Sequence, residues 1–147
     1  MSTKKYNVGI IGYGWAATAH IDAINKTAHA QVTAIYSSRP LDSATLSAKH
    51  GGKIKAYQSV EALLADPDIH VVDITSFPSQ HSAQAIAAAQ AKKHILEKPM
   101  ANSMDEVIQI FEAAEKNGVK GCVCFELRFS GQMESTCLLY TSPSPRD

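Results

Sequence analysis

The chain reads as an α/β domain of the doubly wound type: a parallel sheet with helices on both faces. Three observations point there. Short apolar runs alternate with helix-length segments, and a parallel strand pair needs a crossover of that kind. The runs are continuously apolar, as in strands covered on both sides. A glycine-rich turn joins the first strand to the first helix.

Each element follows from local signals. Asn7–Ile11 is a short apolar strand, and Trp15–Asn25 is a helix with Ala17, Ile21 and Ile24 on one face. Gln31–Tyr36 is the second strand. Leu41–His50 is helical and stops at Gly51 and Gly52. Ala56 and Tyr57 form a short third strand. Val60–Ala65 is a short helix, ended because Pro67 disfavours a helical Asp66. Val71–Ile74 is a buried strand, Ser79–Lys92 an alanine-rich helix and His94–Glu97 the next strand. In Ser103–Asn117, Ser103 and Glu106 form a capping box and Gly118 follows the last turn. Its inner face is read as Val107, Ile108, Phe111 and Ala114. Val119–Phe125 is the last strand. The expected strand order is 3-2-1-4-5-6.

Composition narrows the function. The 147 residues carry 14 Lys and Arg against 14 Asp and Glu, a formal net charge of zero. No basic block is present, which argues against nucleic acid as a partner. No stretch approaches the roughly 18 apolar residues of a membrane helix, and Met1–Tyr6 leads into no signal-peptide core. Cys122, Cys124 and Cys137 lack disulfide or metal spacing, so reduced thiols in a cytoplasmic protein are expected. Cys122 and Cys124 share one strand face and read as a buried pair. The six histidines show no zinc-type spacing, so no metal is expected. A hydrolase lacks a Gly-x-Ser-x-Gly elbow.

Two regions carry chemistry. The first is Gly12-Tyr13-Gly14-Trp15-Ala16-Ala17, a Gly-x-Gly-x-x-Ala turn between strand and helix. Gly12 permits the turn, Gly14 lets backbone approach a pyrophosphate, and Ala17 lets helix and strand pack closely. The first-turn N–H groups of Trp15, Ala16 and Ala17 and the helix dipole then favour phosphate. Tyr13 and Trp15 either meet the ligand or cap the turn. After the second strand, Ser37, Ser38 and Arg39 stand where an acidic residue would hold the ribose 2′-hydroxyl of NAD. Hydroxyls and a guanidinium suit a 2′-phosphate, so NADP is the expected cofactor and NAD the other candidate. The second region is Glu97-Lys98-Pro99, at the carboxyl end of a strand, where ligands of such sheets bind. Pro99 restricts Lys98 to extended backbone, and on spacing alone a strand-end lysine reads more often as a surface charge. His20 reads as a structural or cofactor-edge residue, and Asp73 is a strand carboxylate with no assigned role.

Across residues 5 to 130 the chain resembles the N-terminal domain of the Gfo/Idh/MocA oxidoreductases, the glucose–fructose oxidoreductase and inositol dehydrogenase group. The marks are the glycine turn with His20, Ala62–Asp68 before Val71-Val72-Asp73, Pro78-Ser79-Gln80-His81, and Lys93–Pro99. Phe77 stands where the family often has proline, and Ser38 replaces its common acidic residue. The resemblance implies a Rossmann fold and hydride transfer between nicotinamide and a hydroxyl-bearing carbon of a sugar, cyclitol or polyol. It implies that Lys98 is catalytic, with Glu97 orienting the site or cofactor. It also implies that Thr75, Ser76, Phe77 and His81 line the nicotinamide ribose, with Arg128 at the crossover and able to contact the cofactor. A second, substrate-binding domain is expected beyond this chain, so the chain alone should bind nucleotide without turnover. The full-length protein is expected to be a homo-oligomer. The expected division is a nucleotide-binding domain over 1–130, the start of the crossover over 131–136 and a tail over 137–147. That tail, Cys137–Asp147, resembles one reading frame of a transposase sequencing adapter; a natural disordered tail is the other reading. Two further functions fit the glycine turn: a non-catalytic dinucleotide sensor or scaffold, and a nucleotide-sugar or methyl-donor enzyme. Lys98 weighs against both.

Overall fold

The computed structural model describes residues 5–97, 99–125 and 131. In chain order the elements are β1 (Tyr6–Ile11), α1 (Trp15–Asn25), β2 (Ala30–Tyr36), α2 (Ser43–His50), β3 (Lys55–Tyr57) and α3 (Val60–Leu64). There follow β4 (Val71–Ile74), α4 (Pro78–Gln90), β5 (His94–Glu97), α5 (Met104–Asn117) and β6 (Gly121–Val123). The six strands are parallel in the order β3-β2-β1-β4-β5-β6, the order the sequence predicts.

Two cores sandwich the sheet. Val8, Ile10, Val32 and Ile35 pack with Ala17 and Ile21 of α1 and Leu46 of α2. On the other face, Ile11, Ala34, Val72, Ile74 and Ile95 pack with Leu63 and Leu64 of α3, Ala85, Ala88 and Ala89 of α4, and Ile110 of α5. In β2, Val32 and Ala34 lie on opposite faces although they are two residues apart. The register between β1 and β2 slips there, with Val8 opposite Val32 but Gly9 opposite Ala34. One extra residue reverses the inward–outward alternation of the strand.

Helix starts follow their caps. Asp42, Ser59 and Ser103 accept hydrogen bonds from Thr45, Ala62 and Glu106 backbone N–H groups, which opens α2, α3 and α5. Glu106 reaches back to accept from the Asn102 N–H at 2.9 Å. α4 begins one residue before the predicted Ser79, because Pro78 fits the first helical position, where its missing N–H costs nothing. It ends before the predicted Lys92, which adopts φ 58°. β6 is shorter than predicted, since β5 offers it only Ile95, Leu96 and Glu97 as partners.

Two expectations are corrected. Ile108 and Phe111, read as the inner face of α5, are 49% and 57% exposed, and Ile110 is the buried residue. The main neighbour of α5 is α4 rather than the sheet, so its buried stripe turns towards Ile110 and Ala113. Cys122 is exposed and Cys124 half-buried, because β6 is an edge strand. The boundary near residue 130 and the tail at 137–147 lie outside the described residues, Gly131 excepted.

Candidate functional site

The carboxyl ends of β1, β2 and β4 open into a cleft of about 540 Å³. This is the point where strand order reverses, and crossovers on either side leave a crevice there. Gly12, Gly14, Ser37, Ser38, Arg39, Thr75, Ser76 and Phe77, eight residues singled out in the sequence, line it together. A larger hollow of about 680 Å³ lies elsewhere, against β2 and β3. Several of its polar side chains already satisfy one another: Gln31 donates to Asn7, and Tyr57 and Lys55 both meet Asp66. The reversal point is therefore the candidate site.

The two glycines of the turn serve different ends. Gly12 has φ +98°, and a Cβ there would lie 2.6 Å from the Ser76 nitrogen and 2.7 Å from the Thr75 carbonyl carbon. The β4–α4 loop is pressed against it: the Thr75 N–H donates to Ile11 at 2.8 Å, and the Thr75 hydroxyl donates to the Gly12 carbonyl at 2.9 Å. Gly12 is demanded by the protein itself. Gly14 is extended, precedes α1, and would place a Cβ within 4 Å of nothing among the described residues. The space beside it is open. α1 has no side-chain cap and no acidic residue in its first turn. The N–H groups of Trp15, Ala16 and Ala17 are the ones an α-helix leaves without an intrahelical partner, at its positive dipole end. Ala17 is fully buried against the sheet, while the Trp15 side chain is 83% exposed.

On the rim, Arg39 donates from Nη2 to the Tyr13 carbonyl at 2.8 Å, and its backbone N–H donates to the Ser37 hydroxyl. One of five guanidinium N–H donors is used in this way, and it fixes the group above the glycine turn. Tyr13 is anchored below: its hydroxyl meets His50 Nε2 at 2.7 Å and accepts from the Lys49 ammonium at 3.1 Å. Tyr13 thus braces the turn from beneath, which the sequence left open.

Across the cleft, Ser76 donates to Gln84 Oε1 at 2.6 Å, and Phe77 is 77% exposed. Gln80 and Gln84 also line the wall. Sequence reading missed both; their i, i+4 spacing in the first turns of α4 was the available signal. His81, expected at the nicotinamide ribose, stands behind this wall and is 1% exposed. Its ring faces two backbone carbonyls, because α4 turns that side inward. His20 and Asp73 prove to be partners, with His20 Nδ1 2.9 Å from Asp73 Oδ2 between α1 and β4. Asp73 is 1% exposed, and its Oδ1 has no hydrogen-bond partner among the described residues. Glu97 ends β5 opposite Ile74. Lys98 and Arg128 lie outside the described residues. Among the described residues no cluster of His, Cys, Asp or Glu could hold a metal ion, and no helix is long and apolar enough to cross a membrane.

A glycine cradle at an uncapped helix, set where a parallel sheet reverses its order, defines a dinucleotide-binding Rossmann domain. The comparisons agree. Residues 6–125 match the model of the oxidoreductase family with an NAD-binding Rossmann fold, and the chain belongs to this Gfo/Idh/MocA family. An uncharacterized oxidoreductase of Synechocystis sp. is 37% identical over 130 residues, covering 86% of this chain and 35% of the relative. Levoglucosan dehydrogenase of Pseudarthrobacter phenanthrenivorans is 31% identical over 138 residues, covering 85% and 34%. The structure of biliverdin reductase from Synechocystis sp., in complex with biliverdin and NADP+, is similar with a TM-score of 0.78 at 26% identity, covering 92% of this chain and 42% of that one. The chain spans about a third of the length of these two curated relatives.

Proposed function

We propose that this domain holds NADP in a cytoplasmic oxidoreductase, which moves a hydride between the nicotinamide and a hydroxyl-bearing carbon of a sugar, cyclitol or related polyol. The observation that carries the cofactor reading is Arg39, tied to the Tyr13 carbonyl above the glycine turn beside Ser37 and Ser38. Among the described residues no carboxylate lines that rim to repel a 2′-phosphate. The diphosphate would lie on the N–H groups opening α1, with Gly14 giving the close approach. The donor set fits such a group: open space at Gly14, an uncapped helix and a pre-placed guanidinium. The cofactor supplies the hydride chemistry. Thr75, Ser76 and Phe77 would flank the nicotinamide ribose. Lys98, the next residue in sequence after Glu97, would hydrogen-bond the reacting oxygen and assist proton movement, with Glu97 orienting the site and Arg128 contacting the cofactor. Levoglucosan dehydrogenase among the relatives supports a sugar-type substrate.

Calorimetry tests the cofactor reading directly. NADP is expected to bind more tightly than NAD, and Arg39→Ala to erase the difference; tighter binding of NAD by the unaltered chain overturns it. In the full-length protein, Lys98→Ala should cut turnover far more than cofactor affinity, and undiminished turnover removes its catalytic role.

A further inference from the structure

One wall of the cleft carries a line of amides that the proposed diphosphate and 2′-phosphate contacts leave unused. Gln80 and Gln84 stand four residues apart on α4, so they share one helix face, and both line the cavity that Ser37, Ser38 and Arg39 also line. Ser76 ties them to the glycine turn, since its backbone nitrogen packs on Gly12. The Ser76 hydroxyl donates to Gln84 Oε1 at 2.6 Å, and the Gln84 amide donates to Gln80 Oε1 at 3.3 Å.

Both bonds run in the same direction. They fix which end of each carboxamide is oxygen, because reversing Gln80 would set its NH2 against the NH2 of Gln84. Gln80 ends the line. It is exposed, and among the described residues both of its N–H donors and one lone pair of its oxygen are free.

The chemistry of NADP says what meets that end. Its 2′-phosphate is carried on the ribose that also carries adenine, whereas the nicotinamide lies beyond a diphosphate and a second ribose. A cavity of about 540 Å³ that takes the 2′-phosphate at Arg39 therefore takes the adenine as well. Adenine offers a 6-amino donor beside a ring-nitrogen acceptor, and a glutamine amide matches that pair with its oxygen and its NH2. We infer that Gln80 reads the base: its Oε1 accepts from the 6-amino group and its Nε2 donates to the adjacent ring nitrogen. Gln84 and Ser76 are positioning residues that hold the amide in that sense. A 6-oxo purine in the same place would set its oxygen against Gln80 Oε1, and turning the amide over would break the line back to Ser76. The site is thereby selective for a 6-aminopurine nucleotide. This selectivity rests on the dinucleotide reading above and extends it to the base.

Calorimetry on the 147-residue chain tests it, with NADP and with the deamino analogue that carries a 6-oxo group in place of the 6-amino group. NADP should bind about tenfold more tightly than the analogue. Gln80→Leu should bring the two affinities together. Ser76→Ala keeps Gln80 but removes the donor that orients the line, and it should narrow the difference too. Equal binding of both nucleotides by the unaltered chain overturns the inference. So does a difference that survives Gln80→Leu, including equal losses for both nucleotides, which would show a packing role only. A difference untouched by Ser76→Ala overturns the orienting role of the line. The preference for NADP over NAD is read separately: a chain that keeps it but ignores the 6-position loses the base reading alone, and a chain that binds no nucleotide loses both.

Discussion

The two ends of the sheet are built on opposite plans. At the carboxyl ends of β1, β2 and β4, polar groups are left for something else to meet. α1 has no side-chain cap, Gly14 borders open space, and Trp15 and Phe77 present aromatic surface to solvent. At the loop leading into β4 and the start of β5, polar groups are consumed internally. Lys93 is 7% exposed, and its ammonium donates to the carbonyls of Asp66 and Ile69, both at 2.7 Å. The Asp66 carboxylate takes the Tyr57 hydroxyl, and His70 Nδ1 accepts from the Asn7 N–H. Burial pushes the Lys93 ammonium down from its ordinary value, while the hydroxyl of Tyr57 holds Asp66 down. One end spends its hydrogen-bonding capacity on folding, and the other keeps it for a ligand. The lesson is that unmet backbone donors together with open space mark a site better than cavity size does, since the larger hollow lies against the self-satisfied region.

Gly12 and Gly14 would break this contrast most sharply. Gly12→Ala forces a side chain onto the Ser76 backbone at positive φ and should cost about 3 kcal/mol or more, read as a large fall in thermal midpoint. Gly14→Val, two residues away, should leave the thermal midpoint nearly unchanged yet weaken NADP binding at least about tenfold, since its side chain would enter the phosphate cradle. Equal destabilisation by both would erase the distinction between a fold glycine and a ligand glycine.

At the opposite end, Lys93→Met should cost about 1–3 kcal/mol by leaving the buried Ile69 carbonyl without its ammonium donor and the Asp66 carbonyl with the Ile69 N–H alone, with no change in nucleotide affinity per folded molecule. The Asp66 carboxyl sits below its ordinary 3.8 because it accepts the Tyr57 hydroxyl first and the Asp68 N–H second. The stability this supplies is complete above that ordinary value and is lost as pH falls through the lowered one. Tyr57→Phe should therefore flatten the acid limb of a pH–stability curve. The smallest effect belongs to Lys92, a non-glycine residue at φ 58°. Lys92→Gly should stabilise by about 0.5 kcal/mol, the relief of left-handed strain being partly offset by entropy of the unfolded chain.

Much of this was legible beforehand for a physical reason: it is written in local patterns. Strand order followed from alternating elements and from a glycine turn opening the first helix. The caps at Ser103 and Gly118 are short-range chemistry, and both formed where predicted. The rim residues Ser37, Ser38 and Arg39 were found because an expected acidic residue is missing at the end of β2. Other features depend on partners far apart in sequence. Apolar spacing could not tell whether α5 would lean on the sheet or on α4, so Ile108 and Phe111 were placed inside. The bulge that turns Ala34 to the opposite face has no local mark.

By itself the sequence determined the fold class, the order of the strands and the turn on which a diphosphate is proposed to rest, because each depends on residues a few positions apart. Tertiary structure alone decided that Gly12 is required by Ser76, that Tyr13 is braced by His50, that His20 answers Asp73, and that His81 joins two loops instead of facing the cleft. Those are contacts between segments that only the closed sheet brings within hydrogen-bonding distance, and no spacing along the chain encodes which way a buried ring will turn.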